Sequence, residues 1–150
     1  MSDQKRSAQR HLDMLITALG PEIENLMVDD DIIEIMLNPD GKLWIDSLTH
    51  GKTFTGIILD FEQTGNVIKL VAAYHHAIAD EYHPEVSCEL PKSGARFQGW
   101  LPPVVVSPSF TIRKRAIHIF SLNDYVHTNS MTDTQAKILR EAVVQRKNIL

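Results

Sequence analysis

Residues Ile32 to Asp46 read IIEIMLNPDGKLWID. In the first half Ile33, Ile35 and Leu37 alternate to one side, and after Asn38-Pro39-Asp40-Gly41 the apolar residues resume at Leu43, Trp44 and Ile45. A period of two puts successive side chains on opposite faces of an extended chain, and Asn, Pro, Asp and Gly each favour a tight reversal. The stretch therefore predicts a β-hairpin. Thr53 to Leu59 repeats the pattern and extends the hairpin to a small antiparallel meander.

Working outward, Leu12, Leu15, Ile16 and Leu19 recur at helical spacing until Gly20-Pro21 stops them, and Pro21 opens a second short helix with Ile23, Leu26 and Met27. On the other side, Asp60 with Gln63 three residues later has the form of a capping box, and Val67, Leu70, Val71, Tyr74 and Ile78 mark the buried stripe of a long helix. Beyond His83-Pro84 short strands return at residues 86–90, 96–101 and 109–119, and Pro91, Pro102, Pro103 and Pro108 call for edge positions or tight turns. Helix, strands, helix, strands is the order of an α+β fold, an antiparallel sheet with helices packed on one face. A polar connector, Asn123 to Ser130, then leads to Thr132 and Gln135, a second capping box, and a helix carrying Ala136, Leu139 and Val143. The closing Asn148-Ile149-Leu150 reads as a strand cut short, so a truncated chain is expected.

Composition narrows the function. The 150 residues are 43% hydrophobic and 23% charged, which excludes a disordered tail or a collagen-like rod, and the length leaves no room for a two-domain enzyme. The polar start MSDQKRSAQR lacks a signal-peptide core and no run has the ~18 apolar residues of a membrane span, so the cytoplasm is expected. Cys88 stands alone and can make neither an internal disulfide nor a thiolate metal site. The net charge of -4 hides an asymmetry: Lys92, Arg96, Arg113, Lys114 and Arg115 fall in a stretch with no acid. If the fold gathers them, they form a +5 patch that seeks an anion.

Other chemistries find less support. His83, Glu85, Cys88 and Glu89 lack zinc-site spacing, and Cys88 and Glu89 point to opposite sides of one strand. His75 and His76 are adjacent on a helix and cannot converge on one ion, so no metal is expected. Ser107, Ser109 and Ser121 have no nucleophile-elbow context. Five cations with Phe97 and Trp100 between them could hold single-stranded nucleic acid, but a pI near 5.9 is far from the roughly 9 or more of a dedicated binding domain. Another alternative is a pure assembly module, with Met36, Trp44 and Val104 to Val106 at subunit contacts.

The segments EIMLNPDGKLWID, CELPKSGARFQGWLPPVVVSPSFTIRKRA, FSLNDYV and MTDTQAKILREAVVQRKNIL together resemble the N-terminal domain of the hexameric traffic ATPases of type IV secretion. The resemblance covers the chain from about Gly20 onward, and ELP-x-x-G-x-R-F, PPVV and FTIRK carry it. It implies an N-terminal domain over residues 1–120, a linker over 121–131, and at 132–150 the first helix of a truncated RecA-like ATPase domain. In that family a Walker A loop follows the NIL strand. The chain stops before it, so the fragment alone is expected not to hydrolyse ATP.

The resemblance further implies a homohexamer that powers DNA or protein transfer or pilus assembly with ATP and Mg2+. It would work among other type IV secretion components, attached peripherally to the cytoplasmic face of the bacterial inner membrane, without direct nucleic-acid binding. Arginines of such a domain reach the phosphates of a nucleotide held by the next domain, where a planar guanidinium is preferred. Matched residue by residue, these are Arg96 in GARFQG and Arg113 in FTIRK, followed by Lys114 and Arg115, with Asn38 and Tyr125 as ribose or adenine contacts.

Overall fold

The computed structural model describes residues 3–116 and 120–149. They fall into two compact units that divide between Arg115 and Ala116. The first begins with α1 (Asp3–Val28), which breaks at Gly20 where φ is 78° and ψ 162°. A residue with a side chain is strained there, and Pro21 restarts the helix as its spacing predicts.

Six strands follow: β1 (Ile32–Leu37), β2 (Lys42–Ser47), β3 (Gly51–Ile58), β4 (Glu85–Glu89), β5 (Arg96–Trp100) and β6 (Ser109–Arg113), with α2 (Phe61–Tyr74) between β3 and β4. They form one sheet in the order β3-β2-β1-β6-β5-β4, every pair antiparallel. Two meanders thus meet along β1 and β6. The hairpin turn needs its glycine, because Gly41 has φ +78° and an added Cβ would lie 2.6 Å from the Leu59 carbonyl oxygen.

Alternation along the strands sends Leu37, Leu43, Ile35, Phe97, Phe110 and Ile112 into a core closed by Leu15 and Ile23 of α1 and by Val67, Ile68 and Val71 of α2. Phe97 and Phe110 stack there with ring centroids 5.5 Å apart. The helices cover one face of the sheet, and the α+β expectation stands. The other face carries the odd members of the alternation on β5 and β6 and is open.

Three local expectations are corrected. Ile32, not Ile33, enters the core, because the pairing of β1 with β2 shifts register between Ile32 and Glu34. α2 ends at Tyr74: His75 caps it, His76 has φ 58°, and Ile78 beyond is exposed. Pro91, Pro102 and Pro103 sit in turns, one of the two placements expected of them. The strand expected over residues 109–119 ends at Arg113, and residues 117–119 of that expectation lie outside the described residues.

In the second unit the expected polar connector contains a helix, α3 (Leu122–His127), started by a capping box between Ser121 and Asp124. α4 (Asp133–Val144) starts at Thr132 with Gln135 as expected, and Arg140 of α4 donates to Asn123 Oδ1 at 3.2 Å. Ala136 is buried, whereas Val143 is exposed.

Candidate anion site on the open sheet face

The pairing of β5 with β6 puts Arg96 directly opposite Arg113. Adjacent strands lie about 4.8 Å apart, so the two side chains leave the sheet side by side on the face away from the helices. Both are exposed. Among the described residues neither guanidinium has a hydrogen-bond or ion-pair partner.

The register extends this pair into a row across the sheet. Glu89 of β4 is the partner of Arg96, Glu34 of β1 that of Arg113, Asp46 of β2 that of Glu34, and Lys52 of β3 that of Asp46. The two arginines are thus flanked by carboxylates. Like charges directly opposite one another destabilise a sheet, so an adjacent guanidinium pair is a cost the fold carries unless an anion sits between. Thr111 and Gln98, register partners in the next row, join the arginines, Glu34 and Glu89 in lining an open depression with Ser87, and the Gln98 amide nitrogen donates to Glu85 Oε1 at 2.7 Å. Two forked donors with neutral hydrogen-bonding groups beside them suit an oxyanion with several oxygens, a phosphate above all.

The five cations do not form one patch, which corrects the expected +5 cluster. Lys114 is half-buried and turned away from the pair; its ammonium donates to the main-chain oxygens of Asp29 and, at 3.5 Å, Leu26, where α1 ends. Arg115 donates through Nη2 to Glu89 Oε2 at 3.0 Å and through Nε to the Gly94 carbonyl oxygen at 2.9 Å. Lys92 is exposed in the turn between β4 and β5, with φ 66°.

Asn38 is exposed in the hairpin turn, where its main-chain oxygen accepts from Gly41 N at 2.9 Å. It is four residues along β1 from Glu34, about 13 Å at strand rise, so the fold does not bring it to the arginine pair. Tyr125 belongs to the second unit, where its ring lies tilted against Phe120 with centroids 6.0 Å apart.

The stacking role that the nucleic-acid alternative gives Phe97 is excluded, because that ring is 1% exposed in the core. For the assembly alternative, Val104 and Val106 are exposed, while Met36 and Trp44 lie half-buried on the open face, Trp44 tilted against Phe54 at 5.6 Å. Among the described residues no group of three or more His, Cys, Asp or Glu is placed to hold a metal ion, and no helix is long and apolar enough to cross a membrane. Glu89 and Gly94 as partners of Arg115 were not anticipated. The only trace in the sequence is that Arg115 follows Arg113 at strand spacing, with Gly94 and Arg96 at the same spacing.

No protein-family model matches the chain. It is 43% identical over 148 residues to a probable conjugal transfer protein TrbB of Sinorhizobium fredii, covering 99% of this chain and 45% of that protein. It is 42% identical over 147 residues to the conjugal transfer protein TrbB of Rhizobium radiobacter, covering 98% and 45%. The chain therefore spans about half the length of these curated relatives. Among solved structures, the VirB11 ATPase of the Brucella suis type IV secretion system, in complex with sulphate, matches with a TM-score of 0.69 at 22% identity, over 85% of this chain and 38% of that one. At that identity the match shows the shared fold.

Proposed function

We propose, from the premise that the chain is kin to the conjugal transfer proteins TrbB, that it is the ring-forming and nucleotide-sensing part of a conjugative type IV secretion ATPase. Arg96 and Arg113 bind the terminal phosphate of an ATP held by a RecA-like domain that begins near Thr132 and carries the Walker A loop and the Mg2+ ligands. Asn38, Tyr125 and Lys114 have no comparable support as nucleotide contacts: one is remote on the sheet, one belongs to the second unit, and one is committed to α1.

The observation that carries the reading is the cross-strand pairing of two exposed guanidinium groups without a carboxylate bound to either. Such a pair binds a γ-phosphate strongly and loses its ligand when that phosphate leaves. That is a charge-biased switch, suited to convert hydrolysis into movement of one domain against another. On this reading the complete protein is a hexamer at the cytoplasmic face of the inner membrane, in contact with other secretion components, and this segment alone does not hydrolyse ATP.

The test is nucleotide preference in the complete protein. The parent should bind a non-hydrolysable triphosphate more tightly than a diphosphate. Arg96→Ala or Arg113→Ala should reduce triphosphate affinity by about tenfold or more, the scale of a lost charge-assisted hydrogen bond, and leave diphosphate affinity unchanged. An undiminished preference in both variants refutes the assignment.

A further inference from the structure

Glu89 is the register partner of Arg96, close enough across the strands to close a forked ion pair with it. That pair does not form. The Glu89 carboxylate is held instead by Arg115, at 3.0 Å. We propose that Arg115 is a positioning residue: it draws Glu89 away from Arg96 and so keeps Arg96 open for phosphate. The proposal rests on the reading of Arg96 and Arg113 as the phosphate-binding pair.

Three features of the backbone support it. Continuing the β5–β6 pairing two residues past Arg96 and Arg113 sets residue 94 against residue 115, on the face that carries both arginines. Residue 94 is glycine, so the Arg115 side chain crosses its position and reaches β4; a Cβ there would lie 2.6 Å from the Arg115 guanidinium carbon. The φ of +61° at Gly94 also belongs to glycine. The Gly94 carbonyl oxygen then accepts from Arg115 Nε at 2.9 Å, so the same guanidinium is fixed to the main chain by one nitrogen and holds the carboxylate with another.

The consequence is electrostatic. Glu89 and Glu34 flank the arginine pair, and alone they would balance its two positive charges. With Glu89 neutralised by Arg115, the site keeps an excess positive charge. An exposed ion pair of this kind adds little to stability, so replacing Arg115 should leave the fold intact.

The experiment compares the parent complete protein with Arg115→Lys, Glu89→Gln and the double variant. Each is read for triphosphate over diphosphate affinity and for melting temperature. Lysine keeps the charge but cannot hold Gly94 and Glu89 with one planar fork. Arg115→Lys should lose about fivefold in triphosphate affinity, the factor an exposed ion pair competing for Arg96 commands, with melting unchanged. Adding Glu89→Gln should restore parent affinity, which repair of a merely structural defect would not do. An Arg115→Lys protein equal to the parent, or a double variant as weak as the single one, overturns the proposal. Arg96→Ala in the same assay separates the two ideas. If it weakens triphosphate binding while Arg115→Lys does not, only the positioning role fails; if Arg96→Ala is silent, the role of Arg96 in the phosphate site fails and the positioning role with it.

Discussion

Lys114 donates its ammonium to the main-chain oxygen of Asp29. The last turn of a helix leaves carbonyl oxygens without partners and carries partial negative charge; α1 ends at Val28, and the same ammonium meets Leu26 O of that turn at 3.5 Å. The Lys114 amide also donates to Ile33 O at 2.9 Å, tying the segment after β6 to β1. Lys114→Ala should therefore cost about 1–3 kcal/mol in chemical unfolding and leave triphosphate preference untouched. Unaltered stability with a lost nucleotide response would return Lys114 to the phosphate site.

Phe97 separates a packing role from a stacking one. Its ring is buried against Phe110 under α2, so Phe97→Ala should destabilise the first unit by about 3–5 kcal/mol. The same unit should show no steep, salt-dependent affinity for single-stranded DNA before or after the change. Denaturation curves and a salt series check both statements.

In the second unit, the Ser121 hydroxyl and amide donate to the Asp124 carboxylate at 2.7 and 2.6 Å and hold its pKa below the usual aspartate value. Because the folded value is the lower one, this capping interaction stabilises α3 fully above the unfolded value of about 3.9 and fades as pH falls through the depressed folded value. Carboxyl titration by NMR should place the Asp124 midpoint below that of an unfolded peptide. A midpoint at or above it contradicts the capping geometry.

Burial pushes the Cys88 thiol up, away from the thiolate form. Reaction with a soluble disulfide reagent near pH 8 should be slower than for free cysteine and should accelerate on unfolding. A fast reaction in the folded protein would mean that β4 does not pack as described.

Local signals carried much of this structure. The hairpin is legible because alternation and an Asn-Pro-Asp-Gly turn agree, and α2 and α4 are legible at their starts because each opens with a capping box. What failed lies at ends and irregularities. One bulge exchanges Ile32 for Ile33 in the core, and α2 stops before Ile78 although the apolar spacing continues. α3 escaped notice because six residues hold too little periodicity to stand out from a polar connector. At the site, the motifs singled out Arg96 and Arg113, but their pairing depends on the register of β5 against β6 across a long connection. The turning of Lys114 away from them and the engagement of Arg115 beside them depend on partners far away in the chain, at Asp29 and Glu89. No local pattern encodes those.

The central claim is that Arg96 and Arg113 act together on the terminal phosphate of a nucleotide bound by an adjoining domain. Steady-state ATP turnover by the complete protein tests it most directly. Arg96→Ala, Arg113→Ala and the double variant should each lose about 10³-fold or more, with the double little worse than either single. Turnover at the parent rate in both single variants would contradict the account.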